Sequence, residues 1–200
     1  RLGHRVRGDP VTRIFFDAPT VYDGTAFHLV SVGMVCEDGR ELYAINADTS
    51  EHLFLGDEGF ASRVWPALPK TECPPGHRCL TRGRGHLDRD HPKVMPPVRL
   101  LRAVGDFISE SARGSEVWGW SPAVPYAALL GLAGGDPLPM RLPQHVNDLR
   151  QEWDPIAGTR NIAQPPLPTG PVTAFDLAHH HEVWARLLDS VQAADRPGDI

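Results

Sequence analysis

The sequence predicts an α/β fold: an antiparallel meander of three strands, then a helix and a strand parallel to the first, in a mixed sheet flanked by helices. Three observations carry this. Residues 11–46 contain β-branched and aromatic runs punctuated by Asp23-Gly24 and Asp38-Gly39, the turn chemistry that reverses one strand into the next. Residues 97–110 carry Val98, Leu101, Val104, Phe107 and Ile108 at helical spacing behind Pro97, which suits a first turn. Residues 115–120, SEVWGW, follow at the distance of a βαβ crossover.

The chain has 200 residues, of which 41% are apolar, enough for one domain with a core and too few for two. A single domain over 11–193 is expected, preceded by a polar and basic arm at 1–10. A net charge of -5 argues against a uniformly basic nucleic-acid surface, although a local basic face is compatible with it. With no bilayer-length apolar run and no signal segment, a cytoplasmic protein is expected. Three cysteines, one of them inside a strand, do not suggest a disulfide framework.

In chain order, the first strand spans 11–16 and delivers Asp17 to its carboxyl end, where open α/β sheets present side chains to ligands. The second spans 26–36. Residues 58–66 space Phe60, Val64 and Trp65 as a helix, stopped by Pro66 and Pro69. Residues 70–97 form the least regular stretch and read as an insertion. Its Cys73, His77 and Cys79, with His86 or His91, are of zinc-ligating type, but five residues between the cysteines exceed the usual two to four, so no structural zinc is expected. Pro125 opens a short helix at 126–132; 134–143 is a turn-rich link; 144–153 reads as a helix; 155–171 is a Pro/Gly-rich loop without periodicity. A long helix over 172–191 closes the domain.

The Asp17 placed after Arg-Ile-Phe-Phe, the Leu-Val-Ser-Val-Gly strand, the Trp118-Gly119-Trp120 turn and Asp148-Leu149-Arg150-Gln151 together resemble the DEDDh 3'-5' exoribonucleases of the ribonuclease H-like superfamily. The likeness is to the small actinobacterial, polyadenylate-specific kind and extends over most of the chain. It implies a ribonuclease H-like fold, magnesium or manganese as cofactor, RNA as substrate and a homodimer. It also implies ligands that are not there. The family's first motif is Asp-x-Glu, where this chain has Asp17-Ala18-Pro19. The metal-binding Asp that follows the aromatic turn falls on Pro125. The His-x4-Asp of the last helix, general base and metal ligand, falls on Phe175 and His180, or on His179 with an offset of one residue. Asp176 is the carboxylate that could substitute, since Glu182 faces elsewhere.

Two-metal phosphodiester hydrolysis needs several carboxylates to hold cations about 4 Å apart and a base to prepare the water. One carboxylate holds magnesium weakly, because the ion gives up its water reluctantly. The first reading is therefore a pseudoenzyme that binds RNA, a nucleotide or a partner protein. Trp118, Trp120, Tyr126 and Asp148 are its candidate binding residues. The alternative reuses the pocket for metal-independent chemistry on a small molecule, with Asp17 and His179, His180 and His181 as acid/base groups, or with these residues binding a transition metal. Successive helical residues point about 100° apart, so at most two of the three histidines can face one site.

Overall fold

The computed structural model of the chain describes residues 11–73, 85–111, 114–134, 142–160 and 162–194. The expected arm at 1–10, most of the 134–143 link, and His77 and Cys79 lie outside them. The elements run β1 (Arg13–Asp17), β2 (Thr20–Tyr22), β3 (Phe27–Leu29), β4 (Ser31–Cys36), β5 (Glu41–Asn46), α1 (Glu51–Gly56), α2 (Glu58–Arg63), a 3-10 turn at Trp65–Ala67, β6 (Lys70–Thr71), β7 (His86–Leu87), β8 (Val94–Met95), α3 (Pro97–Ser109), β9 (Glu116–Gly119), α4 (Ala123–Gly131), β10 (Asn147–Asp148), α5 (Leu149–Arg160) and α6 (Ala174–Ala194). Six strands form one mixed sheet in the order β10-β9-β1-β4-β5-β8. β1, β4 and β5 are the antiparallel meander, while β9 lies parallel to β1 and β10 parallel to β9. The architecture is ribonuclease H-like, as the resemblance implies.

β1 is apolar on both faces because it lies inside a sheet covered on both sides. Ile14 and Phe16 point into a core shared with Leu100, Leu101, Val104 and Phe107 of α3 and Leu129 of α4. Phe15 points the other way, into Leu149 and Trp153 of α5 and Trp184 and Leu188 of α6. α3 starts and ends close to expectation, but Val98 is 68% exposed. At about 100° per residue it sits roughly a third of a turn off the stripe formed by Leu100, Leu101, Val104 and Phe107.

Four expectations need correction. The run at 26–36 is two strands: β2 and β3 form a separate hairpin around Asp23-Gly24, and the chain changes sheets at Val30, whose N–H donates to the Pro19 carbonyl at 2.9 Å. The insertion is not wholly irregular, since β8 adds a parallel edge strand beside β5. Cys73 is disulfide-bonded, against the expectation that the cysteines form no disulfide framework, while Cys36 is free and buried. The helix expected at 144–153 begins only at Leu149, after β10, and runs through Pro155 to Arg160. Burial of Trp153, 1% exposed, outweighs the hydrogen bond that Pro155 removes. Among the described residues, no helix is long and apolar enough to cross a membrane.

Candidate functional site

Asp17 ends β1 opposite Gly33 of β4. A Cβ at Gly33 would lie 2.2 Å from the backbone carbon and oxygen of Ala174, so the first turn of α6 rests directly on that strand. Two turns further along α6, His181 reaches β1. It is 5% exposed. Its Nδ1 lies 3.2 Å from the Phe16 carbonyl and its Nε2 lies 3.4 Å from Oδ2 of Asp17. A carbonyl only accepts, which assigns the ring proton to Nδ1 and leaves the Nε2 lone pair facing the acid.

Burial drives both groups toward their neutral forms. It pushes the Asp17 carboxyl up to about 7, against the opposing pull of the Ala18 backbone. It pushes the His181 imidazole down to about 4, against the bond to the Phe16 carbonyl and with a smaller push from His180 in the same direction. Between these values the pair holds one proton, which a neutral Asp17 can direct at Nε2.

The other predicted residues do not converge on this pair. His180, the position that the resemblance aligned with a metal ligand, turns to the Trp184 ring, 5.0 Å between centroids; burial lowers its pKa, against a smaller opposing pull from the Pro165 backbone. His179 lies outside, 3.2 Å from Glu41 and 3.6 Å from Glu182, and Glu182 also binds Arg186 at 2.6 Å. Asp176 accepts from the Thr173 backbone at 2.8 Å, while the Thr173 hydroxyl accepts from the Asp176 N–H at 3.1 Å. That is a capping box opening α6.

Trp118 and Trp120 are half-buried against the α5–α6 core, Trp120 with its ring 3.8 Å from that of Trp184. Tyr126 packs edge-on against Phe16 and donates its hydroxyl to the Pro143 carbonyl, and burial pushes its phenol up to about 12. Asp148 accepts from the Ser121 and Arg150 backbones, each at 3.0 Å, tying β10 to the end of β9 and starting α5. With Tyr126, Gln144, His145 and Gln151 it lines a groove of about 300 Å³. Pro125 is the third residue of α4, in the first turn, where its missing N–H leaves no helical bond unmade. The helix therefore starts before Pro125, not at it.

The solvent-facing aromatic pair is elsewhere. Tyr22 and Phe27, 56% and 48% exposed, face each other across the β2–β3 hairpin with centroids 4.8 Å apart. The hairpin begins three residues after Asp17. Its turn is fixed by Asp23, which accepts from the Thr25 and Ala26 backbones and the Thr25 hydroxyl. These bonds hold its carboxyl well below the usual range. The sequence reading missed the pair; the signal that points to it is the Asp23-Gly24 turn that the two residues flank.

Two curated proteins from two strains of Mycobacterium tuberculosis, each named a 3'-5' exoribonuclease, are 29% identical to the chain over 186 residues, 92% of this chain and 97% of each relative. The chain resembles a mycobacterial 3'-5' exoribonuclease. No protein-family model matches it. The match of this exonuclease-like chain to these relatives runs almost end to end. Among its described residues no three His, Cys, Asp or Glu side chains are grouped so as to hold a metal ion.

Proposed function

We propose that this exonuclease-fold protein binds RNA or a nucleotide without the two-metal hydrolysis of its fold family. The observation that carries this is the partner of Asp17: an imidazole at 3.4 Å, where a metal pair needs further carboxylates. Magnesium takes oxygen ligands in near-ideal octahedral geometry. The donors around Asp17 do not suit it. Pro19 and Pro125 carry no donor side chain, Asp176 is held in its capping box, and Phe175 stands where the resemblance implies the general base.

RNA as the ligand rests on the likeness to the mycobacterial exoribonucleases. The Tyr22–Phe27 pair offers a nucleobase the exposed ring faces that Trp118 and Trp120 bury. The test is to incubate purified protein with 3'-labelled RNA and Mg²⁺ or Mn²⁺ while measuring binding of the same RNA by fluorescence anisotropy. Saturable binding without shortening is expected. Replacing Tyr22 and Phe27 together by Ala should weaken binding by tenfold or more, since base–aromatic stacking is worth about 1–3 kcal/mol per base. Shortening that disappears in Asp17→Asn would overturn the proposal.

A further inference from the structure

β9 and β10 lie side by side and parallel, and the helices that follow them leave for opposite faces of the sheet. α4 puts Ala128 and Leu129 into the core shared with Phe16, while α5 puts Leu149 and Trp153 into the core shared with Phe15. Where neighbouring parallel strands hand the chain to opposite faces, a crevice opens outside their carboxyl ends, and open α/β sheets hold ligands there. The groove of about 300 Å³ lies at that point. It is lined by Pro122 and Tyr126 of α4, Gln144 and His145 ahead of β10, Asp148 at the end of β10 and Gln151 of α5.

The backbone is bent to shape this groove. Gly119 lets Pro122 close in, since a Cβ there would stand 2.9 Å from Cβ of Pro122 and 3.0 Å from the Phe16 carbonyl oxygen. Ser121 then takes a φ of 48°, alone among the described non-glycine residues in the left-handed region. One oxygen of Asp148 holds that turn, accepting from the Ser121 and Arg150 N–H groups at 3.0 Å each. Its other oxygen has no partner among the described residues, and neither have the side chains of Gln144, His145 and Gln151.

We infer that this groove takes one unpaired nucleobase carrying an exocyclic amino group, an inference that rests on RNA or a nucleotide being the ligand. A carboxylate only accepts, so the open Asp148 oxygen selects an amino edge. A primary amide both donates and accepts, so Gln144 or Gln151 can meet the ring nitrogen beside that amine. The Tyr126 ring supplies an apolar wall suited to a planar heterocycle. Uracil fits poorly, because it presents a carbonyl oxygen where adenine and cytosine present the amine. A phosphate fits poorly as well: among the described residues no lysine or arginine lines the groove, and Asp148 repels an anion.

The probes are adenosine, cytidine, uridine and adenosine 5'-monophosphate, each titrated into the nitrogen-15-labelled full chain with the glutamine side-chain amides followed by NMR. Adenosine and cytidine should shift Gln144 and Gln151 saturably, uridine should bind about tenfold more weakly or worse, and the 5'-phosphate should add nothing. Gln151→Ala should weaken adenosine binding about tenfold. Asp148→Asn keeps the oxygen that holds Ser121 and Arg150 but turns the open acceptor into a donor, so it should move the preference toward uridine by about tenfold or more. Both variants are checked against the parent's circular dichroism and melting temperature, and Gln151→Ala, at an exposed position, carries the test if Asp148→Asn does not fold. Equal affinity for the three nucleosides would overturn the inference, as would glutamine amides that do not move or an unchanged preference in folded Asp148→Asn. Shifts confined to the β2–β3 hairpin would also overturn it, placing the base there alone. RNA that still binds when the nucleosides do not would sink this inference and leave the proposed function standing. Nucleosides that bind to a chain found to shorten RNA would do the reverse.

Discussion

His179 and His181 stand two residues apart on α6 and meet opposite surroundings. Two helical steps rotate the side chain by about 200°, so one ring enters the sheet face and the other leaves it. His181 is sealed beside Asp17, where desolvation sets both protonation states. His179 lies at the surface between Glu41 and Glu182, where water screens the charges. A run of three histidines is therefore not one chemical unit. The phase of the helix divides it into a buried partner for Asp17, a ring against Trp184 and a surface ion-pair residue.

The largest expected effect comes from removing what sets that phase against the sheet. Gly33→Ala drives a methyl into the backbone of Ala174, so α6 must withdraw and carry His181 from Asp17. A loss of about 3 kcal/mol or more is expected by urea denaturation, near the upper end for overpacking. An unchanged midpoint would show that the helix does not rest on that strand.

The next effect sharpens the comparison through pH. Between about 4 and 6.5 the folded pair holds one proton, and so do the same two groups unfolded, where the histidine carries it. The two contributions cancel, and the parent's stability takes no slope from them. Asp17→Asn leaves a histidine whose folded pKa is depressed, so the unfolded state binds the extra proton. Stability should then rise with pH by up to about 1.4 kcal/mol per unit up to about 6.5. His181→Gln leaves an acid whose folded pKa is raised, so the folded state binds the extra proton, and stability should fall at a similar slope from about 4 to about 7. Denaturant midpoints across this range, each relative to the parent, measure both. Parallel curves for all three proteins would break the account of the pair.

The smallest effect belongs to the surface member. His179→Gln should change stability by less than about 0.5 kcal/mol, with any change reduced by added salt, because exposed pairs rarely contribute more. A loss comparable to that in His181→Gln would erase the distinction between the two histidines.

Most of the frame was legible because it obeys simple periods. The double-sided apolar run of β1, the stripe of α3 and the parallel strand after it all follow from side-chain alternation and helical spacing. The β2–β3 hairpin was not, because Val30 continues an apolar run through the place where the chain changes sheets. α5 was misjudged because Pro155 reads as a stop unless the burial of Trp153 is known. At the site, Asp17 was evident from its place at a strand end, but the histidine that meets it was not. A one-residue step turns a helical side chain by about 100°, and the sequence offered His179, His180 and His181 alike without saying that His181 is the one that faces Asp17. Asp176 carried a readable signal for its true place: Thr173-x-x-Asp176 has the pattern of a capping box.

The central claim is that Asp17 answers to an imidazole and not to a cluster of acids. Titrating Mn²⁺ into the parent and into Asp17→Asn, with bound metal followed by electron paramagnetic resonance, tests it most directly. The account predicts weak binding of equal strength in the two proteins, with no saturable step at millimolar metal. A saturable pair of sites in the parent that Asp17→Asn abolishes would contradict it.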